Sequence, residues 1–435
     1  MSAADHVKPS LGLPELIAIG VGGMIGGGIF SVLGIAVGIA GHAAPLAFAL
    51  GGVIAILAGY SYVTLALAYR DDGASFTYLE RAFPKHQNIA GVMGWTIVVG
   101  YIGTLSLYAF TFGAYGADLF GSADSNTVRL FLSISVLLVF LVVNLRGART
   151  SGLTEDLIVY TKIALLALVG AFAVSTVRVE RMMPLFDEGA GSVFIAGATV
   201  FVAFEGFQLI TNAVIETKDA TKNIPRGIYA SIIITTVIYL LLALVAVGSL
   251  SQAELVEAKE YALAAAARPA LGKAGTVIVG LAALLATSSA INATAFGASR
   301  LMAQIATERM LPRAFSFRRR TSDVPEFAIV VFIALGVVFT SLGTLDIIAT
   351  FSSLTFLLVS LGVGVANFRL RATTRANPAL ILAGLAVVAV TIALLLWHMW
   401  TKERDLFYSV AGLYAVILIG ELGFSQRRVL FRGRA

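Results

Sequence analysis

Apolar residues run along this chain in stretches of about twenty, parted by short segments that hold most of the charge. Twelve stretches can be read, at residues 14–40, 45–69, 88–120, 128–146, 154–176, 192–217, 226–250, 273–306, 326–343, 346–368, 378–400 and 406–425. A helix needs roughly 20 apolar residues to cross a bilayer. The pattern therefore predicts an all-α polytopic membrane protein with twelve transmembrane helices. The third and eighth stretches exceed that length, which predicts tilt or extension beyond the membrane. The longest connection on one side, 251–272 (SQAELVEAKEYALAAAARPALG), is rich in Ala and Glu and predicts a surface helix. The longest on the other, 307–325, carries Arg318-Arg319-Arg320, read as a topology anchor.

Composition sharpens this picture. Of the residues, 58% are hydrophobic and 13% charged, against roughly 25% charged in soluble domains. No charged n-region and cleavage site precede the first stretch, so no removable signal peptide is expected. The absence of cysteine excludes disulfides and thiolate chemistry. A net charge of +6 would suggest nucleic acid in a soluble protein; here topology accounts for it. With the N-terminus inside, twenty-two of the 31 Lys and Arg residues fall on the inner side and eight on the outer, so both termini are expected in the cytoplasm. The remaining one, Lys162, lies in the middle of the fifth stretch, in YTKIALLALVGAF, deeper than any other basic residue.

The first stretch contains Gly20–Gly34, GVGGMIGGGIFSVLG, with seven glycines in fifteen residues. Two readings are open. Gly22-Gly26 and Gly23-Gly27 fit the small-xxx-small pattern of close helix packing. Alternatively the helix opens within 23–28, because glycine costs about 1 kcal/mol relative to Ala inside a helix. An opened helix offers amides to an anion at the start of its second half and carbonyls to a cation at the end of its first. That pair suits a zwitterion.

The sixth stretch, SVFIAGATVFVAFEGFQLITNAVIET, places Glu205 and Gly206 at bilayer depth. Ionisable groups there are costly and face cavities. Two interrupted segments five spans apart point to an inverted-repeat transporter. The expected units are a first half at 1–176, a second half at 177–370 and a peripheral pair with the tail at 371–435.

GGMIGGGIF, AFEGF, TKNIPRG at 221–227 and SSAINATAFGASR at 288–300 together resemble the amino acid–polyamine–organocation transporter family, in order and spacing over essentially the whole chain. The resemblance implies the five-plus-five inverted-repeat (LeuT-type) fold, with discontinuous helices 1 and 6 and two additional helices. It implies that a substrate α-carboxylate meets the amides of Gly26, Gly27 and Gly28 and that the α-amine meets the carbonyls of Met24, Val202 and Glu205. Lys162 falls where the family's proton-coupled, broad-specificity amino acid transporters carry a lysine. Its expected neighbours are the Gly22 carbonyl and the hydroxyls of Ser288 and Ser289. Burial disfavours a charged ammonium, so such a lysine could take up and release a transported proton.

Glu205 departs from the family's small or apolar residue. Facing the site, it would favour cationic substrates; facing away, it would bond freed backbone groups or take part in proton transfer. The remaining pocket candidates are aromatic: Tyr101, Tyr108, Phe201, Phe204, Phe207, Phe351 and Phe356, with Phe201 or Phe204 as an outer gate. Asn144, Gln304 and Asn367 are read as hydrated span ends, and Asn292 as deep enough to bond across helices. The sequence lacks GxxxxGK[ST], HExxH and repeated filter loops, which argues against ATP drive, a metalloenzyme and a channel. The expectation is a proton-coupled amino acid symporter of the cytoplasmic membrane, without cofactor, metal or nucleic acid. An exchanger or uniporter of the same fold is the alternative, with a cationic preference set by Glu205.

Overall fold

The computed structural model describes residues 10–70, 74–85, 87–146, 152–318 and 324–431. It is helical throughout. The helices are α1 (Leu13–Met24), α2 (Gly28–Ala40), α3 (Ala44–Ala68), α4 (Ala74–Ala82), α5 (Gln87–Leu119), α6 (Asn126–Leu145), α7 (Gly152–Ala173) and α8 (Ala190–Thr199). They continue with α9 (Leu209–Asn212), α10 (Ala220–Ser249), α11 (Gln252–Glu257), α12 (Ala262–Thr307, two helical segments that meet at a kink at Gly272), α13 (Glu326–Leu342), α14 (Leu345–Thr374), α15 (Pro378–Lys402) and α16 (Arg404–Phe431). Ten helical stretches among the described residues are long and apolar enough to cross a membrane, with α1 and α13 as shorter apolar helices.

Local chemistry sets several boundaries. Ser125 accepts the Val128 amide at the start of α6, and Thr344 accepts that of Ile347 at the start of α14. Asn377 caps α15, where Pro378 occupies the first turn and gives up no needed donor. Ser251 and Glu254 form a capping box on α11.

Two connections differ from their sequence reading. The 251–272 segment is not one surface helix: α11 and a short 3-10 turn lead into α12, and Ala262–Ala267 are buried. A run of alanines packs closely, so small size places these residues inside rather than on the surface. The segment before α5 holds α4, whose Phe76, Tyr78 and Leu79 are buried. Its apolar face is too short to stand out in a scan for membrane spans. Arg319 and Arg320 lie outside the described residues.

The interrupted pair α1/α2 and the stretch from α8 to α9 sit at the centre, flanked by α3, α5, α10, α12 and α14. α15 packs on α3 and α14, and α16 on α5. Outward faces of α6, α10, α15 and α16 are apolar, as with Phe131, Val237, Trp397 and Val416, which suits lipid. Polar side chains inside pair across helices: Ser31 with Thr111 at 2.6 Å, Asn144 with Asn292 at 2.9 Å, and Asn367 with Ser61 at 3.2 Å. Asn144 and Asn367 are therefore bonded inside the bundle rather than hydrated at span ends, because a polar group without water must find protein partners.

Candidate functional site

The first span is interrupted where its glycines cluster. α1 ends at Met24, residues 25–27 form a turn, and α2 begins at Gly28. Close packing and an open helix occur together here. A Cβ on Gly206 would lie 2.3 Å from the Gly23 carbonyl carbon and 2.3 Å from the Met24 amide nitrogen. The two interrupted spans thus cross backbone against backbone, and only glycine permits that approach.

In the sixth span, the α-helix of α8 gives way to a 3-10 stretch, Val200–Gln208, before α9. Runs of 3-10 helix beyond three or four residues are uncommon, so outside contacts must hold this one. The Ser353 hydroxyl accepts the Val202 amide at 3.0 Å and donates to the Thr199 carbonyl at 2.5 Å. The Tyr239 hydroxyl lies 2.6 Å from the Met24 carbonyl and 3.1 Å from the Ala203 carbonyl, bridging both interruptions. Tyr239→Phe removes that donor from buried carbonyls. It is expected to destabilise the protein by about 1–3 kcal/mol, read as a lower unfolding temperature in detergent. An unchanged temperature would show that the bridge contributes nothing.

Lys162, on α7, is completely buried, and its ammonium donates to the Gly22 carbonyl at 2.8 Å. Gly22 lies in the last turn of α1, and a Cβ there would meet Val159 at 2.8 Å. The missing side chain lets α7 come close enough for the bond. α7 also packs along α12, which carries the half-buried Ser288 and Ser289.

A cavity of about 50 Å³ lies beside the crossing. Its walls include Gly22, Gly23, Tyr101, Tyr108, Glu205, Gln208, Ser289, Thr294 and Phe356. At roughly 10–15 Å³ per water, it holds a few waters, well short of the ~300 Å³ typical of a ligand pocket. Glu205 is 6% exposed, and its Oε1 accepts the Thr104 hydroxyl at 2.9 Å. Its Oε2 has no hydrogen-bond partner among the described residues, nor does Nε2 of Gln208.

Other expected site residues are placed elsewhere. Gly26, Gly27 and Gly28 do not line the cavity: Cβ atoms there would meet Ala290 at 2.6 Å, the Tyr108 ring at 2.4 Å and the Tyr239 hydroxyl at 2.5 Å. The Met24 carbonyl is engaged by Tyr239, and the Val202 amide by Ser353. Phe201 and Phe204 are completely buried, with Phe204 edge-on to Tyr239 at 5.4 Å. Phe351 stacks near Tyr414, away from the cavity. Thr104, Gln208 and Tyr239 went unrecognised in the sequence. Thr104 had a signal: it lies three residues after Tyr101 and four before Tyr108, on the same face of α5. Tyr239 had none, being brought in by α10 from a distant part of the chain.

A larger depression, about 840 Å³, lies along the second half of α2 and includes Gly34, Thr199, Lys259, Asp346, His398 and Glu403. Lys259 pairs there with Asp346. The His398 imidazole, 3.6 Å from the Glu403 carboxyl, holds that carboxyl below its usual range. Thr199 lines this depression and Glu205 the inner cavity, while Phe201 and Phe204 line neither.

Comparison with known proteins gives a match to the amino acid permease family model over residues 11–420. The Escherichia coli inner membrane transport protein YbaT is 31% identical, over 95% of both chains. An uncharacterized protein of Methanocaldococcus jannaschii is 30% identical, over 95% of this chain and 94% of its own. The branched-chain amino acid permease BcaP of Bacillus subtilis is 24% identical, over 83% of this chain and 82% of its own.

Proposed function

The chain belongs to the amino acid permease family, within the amino acid–polyamine–organocation transporters, and from that premise we propose that it is a proton-coupled symporter carrying amino acids inward by alternating access. It is a multi-pass membrane transport protein and not an enzyme. The proposed architecture has twelve spans in the cytoplasmic membrane with both termini cytoplasmic. Inverted halves at 1–176 and 177–370 are followed by a peripheral pair at 371–435.

The observation that carries the coupling is the wholly buried Lys162 ammonium at 2.8 Å from the Gly22 carbonyl. A protonated amine ties α7 to the inner half of the broken first span. A neutral amine gives up the charge that makes this bond strong. Proton binding therefore favours one packing of α1 against its neighbours, and release favours another. Ser288 and Ser289 are the proposed further contacts of the ammonium on α12.

In the substrate-loaded state, the α-carboxylate meets the amides of Gly26, Gly27 and Gly28 after the Tyr108 ring has moved off Gly27. The α-amine meets the carbonyls of Met24, Val202 and Glu205. Met24 retains a second lone pair beside its bond to Tyr239. Tyr101 borders the substrate, and Phe201 and Phe204 form the outer gate.

Uptake of labelled alanine and leucine by proteoliposomes tests this reading. An alkaline lumen should drive accumulation above the external concentration, and a protonophore should abolish it. Uptake indifferent to the gradient but stimulated by internal amino acid would identify an exchanger instead.

A further inference from the structure

A carboxylate oxygen buried without a protein partner is costly unless water or a ligand meets it, and among the described residues Glu205 keeps one beside the helix crossing. Thr104 fixes Oε1, while Oε2 remains unpaired in a cavity walled by the rings of Tyr101, Tyr108 and Phe356. Gln208, one helical turn along, contributes an amide that also has an unpaired end at the same cavity. That amide can turn its oxygen inward, since its two ends exchange by rotation. An acceptor carboxylate, a rotatable amide and aromatic faces are the elements that hold an organic ammonium. The cavity excludes Gly26, Gly27 and Gly28, so this group lies apart from the amides assigned above to the α-carboxylate.

We propose that Glu205, flanked by Tyr101, Tyr108 and Gln208, is a subsite for a second positive charge on the substrate, so that the protein selects amino acids of the lysine and ornithine class. This rests on the transporter reading and names its substrate. The side-chain ammonium takes the free Oε2, while Thr104 holds the carboxylate in the orientation that presents it. A buried polar acceptor rejects a ligand without the matching donor far more strongly than an apolar pocket rejects one methylene.

Lysine and norleucine share a backbone and chain length and differ by the terminal amine, so they isolate this contact. Lysine and ornithine should compete with labelled alanine at least ten-fold better than norleucine and norvaline in wild-type proteoliposomes. Glu205→Gln keeps an acceptor for Thr104 and removes the charge, and should bring the lysine-to-norleucine ratio close to one. A wild-type ratio at or below one overturns the proposal while alanine uptake leaves the transporter reading standing. An undiminished preference in Glu205→Gln also overturns it. Thermal stabilisation of purified wild-type protein by lysine against norleucine tests the subsite even without a folded variant or measurable transport, and equal stabilisation rejects it.

Discussion

Replacing Gly206 with alanine is expected to lower substrate uptake by at least 100-fold and to reduce the yield of folded protein. The new Cβ would sit 2.3 Å from two backbone atoms of the first span, the Gly23 carbonyl carbon and the Met24 amide nitrogen, and 2.8 Å from the Gly23 Cα. Real Cβ contacts essentially never fall below 3.0 Å, and none of these atoms can rotate away as a side chain would. Overpacking of a core typically costs about 1–3 kcal/mol even where side chains can yield. Here the two interrupted spans themselves must separate, which opens the crossing on which the cavity and the Tyr239 bridge depend. Gly297→Ala is the control. Gly297 lies within α12, and a Cβ there meets nothing within 4 Å, so the change should be neutral or stabilise by about 0.4–1 kcal/mol. Uptake and fluorescence-detected size-exclusion profiles of the two variants distinguish these outcomes. Wild-type behaviour of Gly206→Ala would mean that the spans do not approach as described.

The second large effect belongs to Lys162. Lys162→Met keeps a long flexible side chain and removes the only titratable group on it. Two effects oppose each other in the fold. Leaving the Gly22 carbonyl without this donor costs about 1–3 kcal/mol. Removing a buried charge returns part of that, since replacing buried ionic groups with apolar ones of similar volume is often tolerated. The variant is therefore expected to fold and to bind substrate. Wild-type uptake should vary with pH through titration of Lys162, whereas the variant should give a flat profile and no accumulation above equilibrium. Lys162→Arg should fail differently: its guanidinium stays charged and needs a wider set of acceptors, so uptake should be lost at every pH tested.

Much of this arrangement could be read from residue order. The interruption of the first span falls within the glycine cluster at 23–28, because a segment this poor in side chains has little to hold it helical. The 3-10 stretch in the sixth span surrounds Glu205-Gly206, where a carboxylate inside an apolar run already signalled a cavity. Lys162 donates to the Gly22 carbonyl, the neighbour that the family resemblance, and not residue order alone, implied. What stayed hidden depends on contacts between distant segments. Tyr239 reaches the Met24 carbonyl from α10, and no pattern within α10 distinguishes that tyrosine from a packing residue. Ser353 stabilises the 3-10 stretch from α14 in the same manner. The glycines at 26–28 lie against Ala290, Tyr108 and Tyr239, residues that come from distant segments and that spacing within the first span does not reveal. The burial of Ala262–Ala267 and the short helix α4 were missed for a simpler reason, since neither is long enough to register as a membrane span.

Proton movement measured directly beside substrate movement tests the coupling role of Lys162 most squarely. Proteoliposomes enclosing a pH-sensitive dye would receive substrate with no pH gradient imposed and with membrane potential clamped by potassium and valinomycin. Substrate entry through the wild-type protein should acidify the lumen, while the Lys162→Met variant should admit substrate with no acidification. Undiminished acidification in that variant would contradict the account, because the transported proton would then be carried by another group.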